Sequence, residues 1–130
     1  MVAATLNSIA SVLLSLERQS EAEDHCQTAI SLQEKLNSAS GSGFESVEIA
    51  LAKTLNTLGS VQKAAGRLDD ALSSYLRSLS IREQRLPSSP ETANSLNNIG
   101  AVYLAQGKLV EAREYVDRST QLKKTLGVEH

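Results

Sequence analysis

Asp24-His25-Cys26 is the one run whose residue types could do covalent chemistry, a thiol beside an imidazole and a carboxylate. Spacing argues against it. Successive residues on a helix point about 100° apart, so a Cys-His pair at i, i+1 does not form a hydrogen-bonded nucleophile–base couple. Cys26 instead shares a helical stripe with Ala22 and Ala29, where a small thiol packs as an apolar residue. One Cys and two His, the second at position 130, give no metal-ligand set. None of the seven glycines sits in a phosphate-cradling loop. Asp69-Asp70 reads as the start of a helix, where carboxylates complement the positive end of the dipole. We expect no catalytic residue, no metal, no cofactor and no enzyme activity.

Composition narrows the class further. Apolar residues make up 41% of the 130-residue chain but aromatics only 3%, with no Trp and one Phe. Small and aliphatic side chains in that proportion suit closely packed helices better than a β-sandwich. The net charge of −2 comes with no basic stripe, so a nucleic-acid partner is not expected. No run approaches the roughly 18 apolar residues of a membrane span, and the first residues lack the order of a signal peptide. A lone cysteine precludes an internal disulfide framework, and a cytoplasmic location is the expectation.

The elements that position these residues repeat. Leu6-Asn7-Ser8-Ile9-Ala10, Leu55-Asn56-Thr57-Leu58-Gly59 and Leu96-Asn97-Asn98-Ile99-Gly100 align. Each is followed, at one constant offset from its leading Leu, by an alanine: Ala22, Ala71 and Ala112. The step from Leu55 to Leu96 is shorter than the step from Leu6 to Leu55, so the length variation lies in the linkers. Each unit reads as two helices. In the third, Leu96, Ile99, Gly100 and Tyr103 recur at helical spacing, Gly107-Lys108 breaks the pattern, and a second helix runs from about Leu109 to Leu126. In the second, the break is Gly66-Arg67 and the following helix runs from Leu68 to about Gln84. In the first, Leu6, Ile9, Ala10 and Leu13 form the face. The turn carries Glu17-Arg18 with no glycine, and Ser20-Glu21-Ala22-Glu23 offers a capping box for the next helix. Ser89-Pro90-Glu91 is a helix start, with Ser89 as N-cap. Residues 38–44 form a Ser/Gly linker, and the next helix begins near Glu45. The organisation expected is one domain over 1–130: repeat 1 at about 2–37, the linker, repeat 2 at about 45–86 and repeat 3 at about 89–127.

This pattern of large apolar, apolar-small, aromatic, glycine and alanine resembles the tetratricopeptide repeat. The later repeat step is longer than the roughly 34 residues of the common form of that repeat. That longer period, the phrase Thr92-Ala93-Asn94-Ser95-Leu96-Asn97-Asn98-Ile99-Gly100-Ala101-Val102-Tyr103, the stretch Gly107-Lys108-Leu109-Val110-Glu111-Ala112 and the trailing Leu126-Gly127-Val128-Glu129-His130 are most similar to the kinesin light chain-type subfamily. Departures are Glu17 for the turn glycine, Gln62 at the position of Tyr103, and Ser78 and Ser119 at an alanine position. The resemblance implies an all-α, right-handed α-solenoid of three helix pairs, six helices in all. Both ends read as cut from a longer array, with Val116, Leu122 and Leu126 on an open face.

Stacked helix pairs line a concave groove with their first helices. Counting from each leading Leu, Asn7, Asn56 and Asn97 fall at one groove position, Asn98 at the next, then Ser11, Ser60 and Ala101, then Lys63; Lys53 and Asn94 precede them. A side-chain amide both donates and accepts, so repeated Asn can pair with a peptide backbone without reading its side chains. In the family this Asn position lines the peptide groove. The alternative for these Asn residues is pairing within the array. The two-carboxylate clamp that some members use needs cations at the positions of Asn7, Ser11, Thr57, Asn94 and Asn98, and none is charged. Lys53 and Lys63 tilt the groove toward an acidic peptide. Capture of an extended partner peptide is the function expected. The alternative is a structural spacer or oligomerisation segment, a homodimer joined through its open helix ends.

Overall fold

The computed structural model describes residues 2–39 and 45–127, with side chains at 18–36 and 45–127. Those residues form five helices: α1 (Val2–Ala39), α2 (Glu45–Ala64), α3 (Leu68–Arg85), α4 (Pro90–Ala105) and α5 (Leu109–Thr125). Contact runs mainly from each helix to the next in sequence, the one-dimensional packing of a helical repeat array.

The boundaries of the last four helices follow the local chemistry. Pro90 starts α4 with no N–H to lose, and the Ser89 hydroxyl accepts the Thr92 amide at 3.2 Å, capping an otherwise orphan donor. Gly66 and Gly107 end α2 and α4 with φ of 81° and 77°. In each turn two amides fold back onto the helix. Gly66 N and Arg67 N donate to Lys63 O and Gln62 O, and Gly107 N and Lys108 N donate to Leu104 O and Tyr103 O. That left-handed turn returns the chain antiparallel.

The expected first pair is different. No turn forms at Glu17-Arg18, and α1 is one helix of 38 residues. Glu17 stands where Gly66 and Gly107 stand in the later units. A residue with a Cβ adopts the left-handed conformation at a cost of roughly 1–2 kcal/mol, whereas continuing the helix makes every backbone hydrogen bond. The capping box expected at Ser20 is accordingly mid-helix. Five helices, not six, make up the described residues. Most of the linker, residues 40–44, and the terminal Val128-Glu129-His130 lie outside them.

Two core clusters hold the array together. Cys26 and Ile30 of α1 pack with Leu51, Leu55 and Leu58 of α2, joined by Ile81. Ala71, Tyr75 and Leu79 of α3 pack with Leu96, Ile99 and Val102 of α4, joined by Leu122 and others. Ile99 and Val102 are fully buried. Glycines let the paired helices approach. A Cβ on Gly59 would lie 2.7 Å from the Tyr75 ring, and one on Gly100 would lie 2.8 Å from Val116 Cγ2.

The departures from the repeat pattern are built in. Buried Ser78 donates to the Ala52 carbonyl at 2.6 Å, and buried Ser119 donates to the Ala93 carbonyl at 2.8 Å. These small hydroxyls tie second helix to first at one register in both units. Buried Gln62 accepts from Ser74 Oγ at 2.7 Å. At the same two positions of the next unit, Tyr103 and Tyr115 stack with centroids 5.6 Å apart. Arg82, also buried, donates to Ser95 Oγ at 2.7 Å and to the Glu91 carbonyl at 3.1 Å, fixing α3 to the first two turns of α4.

Candidate interaction surface

The residues expected to form the groove lie on the accessible sides of α2 and α4. Lys53, Thr57, Ser60 and Lys63 are exposed on α2, with Asn56 half-buried among them. Asn94 and Asn97 are exposed on α4, with Asn98 and Ala101 half-buried. Asn7 and Ser11 fall in the N-terminal half of α1, where side chains lie outside the described residues.

Within this set the closest link joins the two helices directly. Asn98 Nδ2 donates to Asn56 Oδ1 at 3.1 Å. This bond is a pairing within the array, the alternative named for these Asn residues. It uses one N–H of Asn98, and no described residue pairs with Asn56 Nδ2 or Asn98 Oδ1, which leaves both amides with donors and Asn98 with its acceptor. Ser60 is tied inward, its hydroxyl 2.8 Å from the Tyr75 hydroxyl. Asn97 stands apart from the bridge. With Ala101, Gly100 and Leu104 of α4 and Leu109, Ala112, Arg113 and Val116 of α5, it lines an apolar hollow of about 370 Å³.

Sequence reasoning did not find that hollow, although its signal was present. Gly100, Ala101 and Val116 occupy the registers of Gly59, Ser60 and Tyr75. In the earlier unit the Tyr75 ring covers Gly59 and its hydroxyl meets Ser60. In the later one a valine leaves that space open, and Leu104, Leu109 and Val116 are exposed around it. Val116 is on the open face as expected, but Leu122 packs against the second core cluster. A second hollow, between α1 and α2, is lined by His25, Cys26, Ala29, Lys53, Thr54 and Thr57.

The reactive groups are quiet in this setting. Cys26 is buried, and burial, then the nearby Glu23 carboxylate, pushes its thiol pKa up, away from the nucleophilic form. Among the described residues no three His, Cys, Asp or Glu come together as a metal site. No helix of the described residues is long and apolar enough to cross a membrane.

Comparison with known proteins gives the class. Tetratricopeptide repeat family models match residues 50–125 and residues 2–40. The chain belongs to the tetratricopeptide repeat family, whose repeats generally mediate protein–protein interaction and are typically non-enzymatic scaffolds. A search of curated proteins gives no match. Among solved structures, BtubC (BKLC) from P. vanneervenii aligns with a TM-score of 0.71 at 24% identity. The alignment covers 95% of this chain and 47% of that one, so this chain spans about half the length of that relative. That likeness extends the helical-repeat fold over nearly the whole chain.

Proposed function

We propose that this chain is an interaction scaffold that holds an extended segment of a partner protein across the accessible faces of α2 and α4. The observation that carries the reading is the Asn56–Asn98 bridge. The bond fixes the two amides side by side and leaves Asn56 Nδ2 to donate and Asn98 Oδ1 to accept, the two functions that a peptide backbone can answer. Asn94, Asn97 and Ala101 extend the surface along α4, and Lys53, Ser60 and Lys63 extend it along α2. The two lysines favour an acidic segment, and the hollow beside Asn97 accepts an apolar side chain. Asn7 and Ser11 join the strip only when residues 2–17 lie beside α2. The array curves as a right-handed solenoid with this face inward. A small contact area makes micromolar affinity the expectation.

A peptide-display selection against the chain, repeated with Asn56, Asn97 and Asn98 all changed to Ala, tests the reading. Circular dichroism establishes that the variant folds. Enriched peptides that bind the parent and not the variant support it. Equal binding to both, or no enrichment, overturns it.

A further inference from the structure

We infer that the chain forms a helix-swapped dimer, in which residues 2–17 of one copy cover the open face of the other copy's α1. The inference rests on the repeat register and on Glu17, and it does not depend on the peptide-binding reading. Leu32, Ile81 and Leu122 occupy one register in the three second-helix segments. Ile81 packs on the cluster that contains Leu51, Leu55 and Leu58 of its own first helix, and Leu122 packs on the cluster that contains Leu96, Ile99 and Val102 of its own. Leu32 is 56% exposed, as is Leu36 one turn further along. What those two residues lack is a first helix.

The sequence supplies one. Leu6-Asn7-Ser8-Ile9-Ala10 carries the same signature as the first helices of the other two units. In a straight α1, however, positions 6 and 32 are about 39 Å apart along the axis, so one copy cannot cover its own face. A second copy can. Two α1 helices packed antiparallel about position 19 set position 6 against 32 and position 2 against 36. It follows the antiparallel relation of the later units, where Ile81 and Leu122, at the same sequence separation from Leu55 and Leu96 as Leu32 from Leu6, pack on the clusters that contain those leucines. The arrangement is closed and two-fold, and exchange of an identical element is a low-cost route to such a dimer. Glu17 is the determinant, because the glycine at its position in the other units is what lets the first helix fold back. The swap also sets the second copy's Asn7 and Ser11 beside α2, so the dimer completes the polar strip that one copy leaves unfinished.

Light scattering on the full chain and on its Glu17→Gly variant tests this. Oxidation of a Leu6→Cys/Leu32→Cys pair in a Cys26→Ala background is the second arm. The parent is expected at twice the monomer mass, with a disulfide that links two chains. Glu17→Gly is expected to shift the mass toward monomer and to move the same disulfide inside one chain. A monomeric parent, or a parent whose disulfide closes within a single chain, overturns the inference. So does a dimer that Glu17→Gly leaves intact. Should the cysteine pair impair folding, the masses of the parent and of Glu17→Gly decide alone.

Discussion

The Ser78 hydroxyl donates to the Ala52 carbonyl across the α2–α3 contact at 2.6 Å, and the same bond recurs in the next unit between Ser119 and Ala93. Both serines are buried. The accepting carbonyls lie inside helices, so losing the hydroxyl removes a favourable bond without orphaning the acceptor. Ser78→Ala and Ser119→Ala should each cost about 1 kcal/mol. Denaturant melts of the two single variants and the double variant check this, with the double near the sum because the sites are in different units.

Gly59→Ala and Gly100→Ala make a contrasting pair. The new Cβ at position 59 meets the buried Tyr75 ring, whose hydroxyl is tied to Ser60 on the same helix and so resists being pushed away. Overpacking of that kind costs about 1–3 kcal/mol. At position 100 the new Cβ meets a methyl of Val116, which is 39% exposed beside an open hollow and can turn away, but also the Ala112 backbone carbonyl at 3.2 Å, which yields only if α5 shifts slightly. There the gain of up to about 1 kcal/mol from replacing helical Gly offsets part of the crowding. Thermal melts should show Gly59→Ala clearly lower than the parent and Gly100→Ala lowered by less.

Glu48 gives the fold a pH dependence. The Arg85 guanidinium hydrogen-bonds it through Nε and Nη2 at 2.9 and 3.2 Å, and that bonding holds the carboxyl below its ordinary value. A carboxyl with a depressed folded-state pKa contributes stability above its unfolded value, about 4.3 for Glu, and loses it as pH falls through the lower folded value. Glu48→Gln should therefore melt slightly lower than the parent at pH 7. The two melting curves should converge as pH is taken below about 4.

Cys26 should resist alkylation. Its thiol is buried in the α1–α2 cluster with its pKa pushed up by burial. Modification by iodoacetamide should be slow in the folded chain and rapid in denaturant, followed by mass spectrometry. Equal rates in both would mean that α1 does not stay packed on α2.

Much of this architecture was legible in the sequence because its signals were local. Ser89-Pro90, Gly66 and Gly107 each fix a helix end through backbone chemistry, and the ends of α2, α3, α4 and α5 lie within a residue or two of the expected positions. The fate of the first pair was harder to read. The missing glycine at position 17 was visible, but its effect depends on a balance between a strained turn and a continued helix, which a repeat pattern does not weigh. The candidate surface was legible as a set of positions, not as a set of bonds. That Asn56 would pair with Asn98, one residue out of repeat register, depends on how far α4 is displaced against α2. The hollow beside Val116 is a difference between units, and a repeat pattern carries only what the units share.

That difference extends to Gln62–Ser74 and Tyr103–Tyr115. One interior position is wired with a hydrogen bond in one unit and with two rings in the next. Gln62→Tyr alone would set a ring opposite Ser74, and Ser74→Tyr alone would leave the Gln62 amide unanswered. Each single variant should destabilise, and the double should recover part of the loss in a thermodynamic cycle. The two helices of a unit thus carry matching halves of a key, and a helix transplanted from one unit to the other would not fit its new mate. Recombination between such repeats can shuffle whole pairs but not single helices, so a buried pair that touches no ligand would still restrict how an array of these units can grow.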